Sequence, residues 1–262
     1  MRYDGGMAEP TLTYGRYLRV PELLSLQELL SQPPHADEPL FIIIHQVYEL
    51  WFKLILHETD TAVTHMDADR IGEATRLLRR VVEVQRLLVQ QVRILETMRP
   101  QDFLGFRYHL NPASGFQSVQ FREIEFLLGL KEPAVLASLR SLPEEKARLE
   151  ARLAAPTVGD AFDSVLERRG FARAGEDWRL KALARVYEEP QTHADLNALA
   201  EVLIEIDECL SLWRAHHVQM VERMIGAKRG TGGSEGVAYL RSTLPKRAFP
   251  DLWRVRTLIG EG

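Results

Sequence analysis

The sequence predicts an all-α protein, a bundle of long packed helices preceded by an N-terminal arm. Three observations carry this prediction. Apolar residues recur at steps of three and four through long segments, the period of a helix face. Strand-like alternation and turn-bounded Val/Ile/Thr runs are scarce. Proline, acidic residues and glycine stand where helices should open and close. With 262 residues, 45% hydrophobic and 27% charged, the chain is long and apolar enough for a sizeable core. It divides into an arm, 1–19, and a single domain, 20–262.

The arm carries Tyr14 and Tyr17. Pro21 to about Leu30 reads as a short helix, broken at Pro33-Pro34. Asp37, Glu38 and Pro39 open a helix from Leu40 to about Met66. The next runs from about Ile71 to Met98, with Ile71, Ala74, Leu78, Val81, Leu88, Val92 and Leu95 on one stripe. Pro100 stops it, and Gln101 to Gly115, with Asn111-Pro112, reads as a loop. Ser114 with Gln117 fits a capping box that opens a helix toward Leu130. Short helices with breaks near Pro143, Pro156 and Gly170 are expected over 131–192. The clearest helix spans about Thr192 to Ile225. Leu196, Leu199, Leu203, Ile206, Leu210, Trp213, His217, Met220 and Met224 form one stripe on it, and Gly226 ends it. A glycine-rich loop follows, then one or two last helices over Glu235 to Leu258.

Composition and motif spacing exclude several classes. The net charge of -4 with interleaved signs leaves no basic stripe for nucleic acid. One cysteine, Cys209, allows neither an intramolecular disulfide nor a four-cysteine cluster. No uninterrupted apolar run approaches the ~20 residues of a membrane span, and no signal-peptide pattern opens the chain. A cytoplasmic protein is expected. No histidine has an acid three residues before it, as a di-iron bundle requires. His57-Glu58 lacks the second histidine of a zinc protease, because Thr61 stands there. The glycine-rich loop follows a helix and has no P-loop spacing.

Three positions stand out chemically. His217 occupies a stripe place otherwise held by Leu, Ile, Trp and Met, while His216 lies roughly 100° around the helix. Such an imidazole is either a core group bonded to a neighbour or a ligand for haem iron. His45 shares a face with Phe41 and Phe52, a pattern that suits a flat aromatic ligand but fits a packed core histidine slightly better. Glu49, four residues on, would orient that imidazole or face water. Arg107, in Phe103-Leu104-Gly105-Phe106-Arg107-Tyr108, is suited to a carboxylate or to solvent.

Four segments, in order, resemble the tryptophan 2,3-dioxygenase family. They are Leu12-Thr13-Tyr14-Gly15-Arg16-Tyr17-Leu18; Phe41-Ile42-Ile43-Ile44-His45-Gln46-Val47-Tyr48-Glu49-Leu50-Trp51-Phe52-Lys53; Phe106-Arg107-Tyr108 with Pro112-Ala113-Ser114-Gly115-Phe116-Gln117-Ser118; and Trp213-Arg214-Ala215-His216-His217 running on to Ile225-Gly226-Ala227-Lys228-Arg229-Gly230-Thr231-Gly232-Gly233. The resemblance covers about residue 11 to the C-terminus. It implies a haem pocket between helices, haem b as cofactor, and insertion of both atoms of O2 across the indole C2–C3 bond of L-tryptophan to give N-formyl-L-kynurenine.

The resemblance also implies residue roles. His217, fourteen residues before Thr231 as the family's ligand precedes its loop threonine, would bind the iron. His45, on the opposite side, would accept a hydrogen bond from the indole N–H. Phe41 and Phe103 would pack on the ring, and Arg107 would grip the carboxylate. Thr231 would close over the ammonium and carboxylate end, and Ser114 and Gly115 would line the haem pocket near the oxygen site. Tyr14, Tyr17 and Leu18 would complete a neighbouring subunit's pocket in a homotetramer. No nucleic-acid or membrane partner is implied. The chain departs from the family at His216, usually Arg, at Glu235, commonly small, and in a shorter stretch near 140–190. Three alternatives stay open on the residues. One is a haem-dependent oxygenase of the same superfamily acting on another indole or aromatic amino acid; the second is a non-catalytic haem sensor; the third is a helical scaffold with no cofactor.

Overall fold

Three long helices set the frame in a computed structural model, which describes residues 11–139, 142–228 and 236–260. They are α3 (Glu38–Asp67), α4 (Ile71–Leu95) and α10 (Ala194–Ile225). Helix α4 lies between the other two and packs along both. That position explains its composition. The stripe Ala74, Leu78, Val81, Leu88 and Val92 is buried, and so is a second set, Leu77, Val84 and Gln85, because two sides of the helix are covered. The connection from α3 is tight. Asp69 adopts left-handed backbone (φ 56°), and Arg70 N–H returns to the His65 carbonyl at 2.8 Å, satisfying an end group of α3.

Shorter helices fill the flanks. They are α1 (Tyr14–Tyr17), α2 (Val20–Leu23), α5 (Pro100–Arg107), α6 (Val119–Leu127), α7 (Pro143–Ala154), α8 (Val158–Arg168), α9 (Trp178–Glu188), α11 (Val237–Ser242) and α12 (Pro250–Arg254). Among the described residues there is no strand, so the all-α expectation holds. Helices α6 and α8 pack on α3. Asp207 of α10 is fully buried and accepts from Ala248 N, Phe249 N and Trp253 Nε1 at 2.9, 3.1 and 2.9 Å, which pins the C-terminal segment to the long helix.

Three expectations are corrected. Residues 101–115 are not all loop: Pro100 opens α5, as its fixed φ suits a first helical turn, where the sequence reading took it as a stop. The Pro21–Leu30 helix is only α2, which ends at Leu23. Leu23, Leu24, Leu26 and Leu30 are exposed, so a longer helix would have no apolar surface to bury. The Ser114–Gln117 capping box forms but opens a 3-10 turn, Gly115–Gln117; Ser118 caps α6, accepting from Phe121 N.

By length and composition α3 would reach across a bilayer. It is instead packed by α4, α6 and α8 and buries the carboxylates of Glu38 and Glu58, the mark of a core helix.

Candidate functional site

A cavity of about 300 Å3 opens between α3, α5, α10 and α11. Its existence follows from the α10 stripe. Leu196 to Leu210 close against α4, whereas Trp213, His217 and Met220, further along the same face, stay only partly covered and line the cavity. The stripe read as continuous core is therefore core in its first half and cavity wall in its second.

The structure brings Phe41, His45, Phe103, Arg107, Ser114, Gly115 and His217 to this one cavity. Helical spacing places Phe41 and His45 on one face of α3, with ring centroids 4.2 Å apart. Phe103 of α5 stacks on Phe41 at 5.6 Å and 28°. Arg107 stands one turn later on α5, at the cavity edge. Gly115 has open space where a Cβ would be. Tyr14, Tyr17 and Leu18 lie away from it on the exposed arm, at 78, 72 and 45% exposure. Thr231 and Glu235 lie outside the described residues.

The two imidazoles are constrained differently. His45 Nδ1 lies 2.6 Å from the Phe41 carbonyl. A carbonyl only accepts, so Nδ1 carries the proton and Nε2 of the neutral ring is an acceptor. Burial holds the His45 pKa below its ordinary value, opposed by that hydrogen bond and by Glu49. Burial, and then His45, pushes His217 down to about 4. The His217 ring stacks on Trp213 at 4.9 Å and 10°, and among the described residues it has no hydrogen-bond partner. A neutral, unengaged imidazole is the form that ligates a metal.

Among the described residues no group of three His, Cys, Asp or Glu could hold a bare metal ion. A lone imidazole facing a largely apolar cavity instead fits an iron that brings its own equatorial ligands, as haem does. Glu49 does not orient His45. Its carboxylate accepts from Ser118 Oγ at 2.6 Å and Gln120 Nε2 at 2.7 Å, clamping α3 to the start of α6.

Sequence reasoning missed a buried ionic cluster in the same wall, Arg122, Glu125 and Arg214. A signal existed: Arg122 and Glu125 interrupt the apolar run of α6 three residues apart, and Arg214 sits within a quoted motif.

The family model for tryptophan 2,3-dioxygenase matches residues 4–140 and 150–259. Over 252 residues, 94% of each chain, the sequence is 54% identical to the tryptophan 2,3-dioxygenase of Nocardioides sp.. It is 46% identical to that of Herpetosiphon aurantiacus, covering 94% of this chain and 97% of the relative. For the enzyme of Myxococcus xanthus the identity is 42%, over 94% and 89%.

Proposed function

The chain belongs to the tryptophan 2,3-dioxygenase family, and on that premise we propose that it is a haem b enzyme cleaving the indole C2–C3 bond of L-tryptophan. The observation that carries the reading is the convergence of His45, Arg107 and two stacked phenylalanines on a cavity that His217 also lines. An indole, a carboxylate and an iron-bearing macrocycle each meet a matching group there.

His217 would hold the haem iron. When bound, the haem supplies the binding and activation of O2, and the protein positions the substrate for it. Phe41 and Phe103 hold the indole by ring packing. His45 Nε2, left as an acceptor by the bond from Nδ1 to Phe41, receives the indole N–H and fixes the ring's rotation. Arg107 takes the carboxylate. The apolar walls keep water from the reacting carbons. The balance is simple: one L-tryptophan and one O2 give one N-formyl-L-kynurenine, with the C2–C3 bond broken and both oxygen atoms retained.

Thr231, outside the described residues, is assigned by the resemblance alone to the amino-acid end of the substrate. Ser114 and Gly115, which line the cavity, would border the haem. The exposed Tyr14, Tyr17 and Leu18 complete a neighbouring subunit's pocket in a homotetramer, a role their exposure supports. The enzyme works in the cytoplasm.

The test is turnover of L-tryptophan by haem-loaded, reduced protein under isotopically labelled O2. The expected product has gained two labelled oxygen atoms. A ferrous protein that binds O2 stably without product, or one that consumes L-tyrosine in preference, would sink the proposal.

A further inference from the structure

Arg122 sits in the cavity wall, 7% exposed, with its guanidinium 5.7 Å and 5.6 Å from the ring centres of Phe116 and Phe121. It donates to Glu125 Oε2 at 2.5 Å. The other oxygen of Glu125 accepts from Arg214 at 2.6 Å, and Arg214 also reaches the Lys246 carbonyl at 3.4 Å. Two guanidinium groups thus share one carboxylate, and the cluster keeps one net positive charge in a buried position. Moreover, among the described residues Arg122 Nε is buried with no partner. A buried cation and an orphaned donor are both costly unless something answers them. Glu49, the other carboxylate of the wall, is already engaged by Ser118 and Gln120. Among the described residues no other carboxylate of the wall is left to pair with Arg122, so the anion of a ligand would answer it.

We propose that Arg122, held by Glu125 and Arg214, is a carboxylate-binding subsite of the cavity and takes a propionate of the haem. The inference rests on the haem reading above. The alternative source of the same chemistry is the carboxylate of the amino-acid substrate, for which Arg107 is the nearer candidate by role.

The test uses the full-length protein loaded either with haem or with its dimethyl ester, in which the propionates are neutral. The readout is the rate of porphyrin loss to an excess of a haem-scavenging globin. The wild-type chain is expected to lose the ester about tenfold faster than haem, the scale of a charge-assisted hydrogen bond. In Arg122→Met the two rates should converge, with ester loss at the wild-type rate, which also shows that the variant is folded. Arg122→Lys, keeping the charge, should restore part of the gap. An undiminished gap in Arg122→Met would overturn the proposal, as would an Arg122→Lys gap no larger than that of Arg122→Met. Unchanged haem loss with a more than tenfold higher KM for L-tryptophan would move the subsite to the substrate and overturn the haem assignment. A wild-type chain that takes up neither porphyrin would instead overturn the haem reading itself.

Discussion

His45 and His217 are both helical, both neutral and both turned to one cavity, yet their hydrogen bonding separates their roles. His45 has spent Nδ1 on Phe41, whereas His217 has engaged neither nitrogen within the described chain. His217→Ala should therefore lose haem, seen as loss of the Soret band in purified protein, while far-ultraviolet circular dichroism keeps its helical form. Arg107→Ala should keep haem and raise the KM for L-tryptophan by on the order of ten- to a hundredfold, matching a charged contact of about 1.5–3 kcal/mol. A third residue gives a pH signature away from the cavity. Burial pushes the Cys209 thiol from 9.0 to about 11. The folded chain then holds the thiol proton more tightly than the unfolded chain. This contribution to stability is whole below about pH 9 and is lost as the pH rises through about 11. At pH 9 a thiol reagent should label unfolded protein fast and native protein slowly; equal rates would contradict the burial. At this scale the sequence marked His45, His217 and Arg107 by position, but not Arg122, because its meaning lies in two partners on α6 and α10.

At the scale of elements, the boundary between α3 and α6 controls the site. Ser118 caps α6 and at the same time donates to Glu49, four residues from His45. Ser118→Ala removes both bonds and should cost about 1–2 kcal/mol, the usual value of a lost N-cap. For a domain of this size that is a fall of several degrees in melting temperature. Because Glu49 loses one of its two side-chain partners, KM should rise more than kcat falls; a melting shift without any change in KM would show the clamp to be structural alone. Helix ends were the least legible elements. Gly226 ends α10 as read, since its φ of 58° suits glycine. Pro100 was ambiguous, because the residue that ends one helix also opens the next. The box at Ser114 is a real local motif, but three residues of turn, rather than a helix, satisfy it.

At the scale of the whole molecule, the described part of the arm is among the apolar surfaces that the single chain leaves uncovered. Tyr14, Tyr17 and Leu18 are too apolar to be left in water at such exposure without consequence. If they complete a neighbour's pocket, removing residues 1–19 should leave haem binding intact, raise KM for L-tryptophan and reduce the mass measured by light scattering. Unchanged KM and mass would rule out that role. The interior shows the opposite state. Helix α4 is covered on two sides, and Leu78 is fully buried between its neighbours.

The sequence by itself determined the helix class, the long α3, α4 and α10, and the placing of His45 on one face with Phe41 and of His217 on the α10 stripe. These are local properties, set by a period of 3.6 residues and by terminal residues acting over one turn. Only the tertiary structure decided that the α10 stripe changes from core to cavity wall after Leu210, that Glu49 serves α6 rather than His45, and that Arg122, Glu125 and Arg214 meet. Each depends on which helix lies opposite and how far away. A one-dimensional pattern shows that a face is apolar; the packing decides whether that face is filled or left open for a ligand.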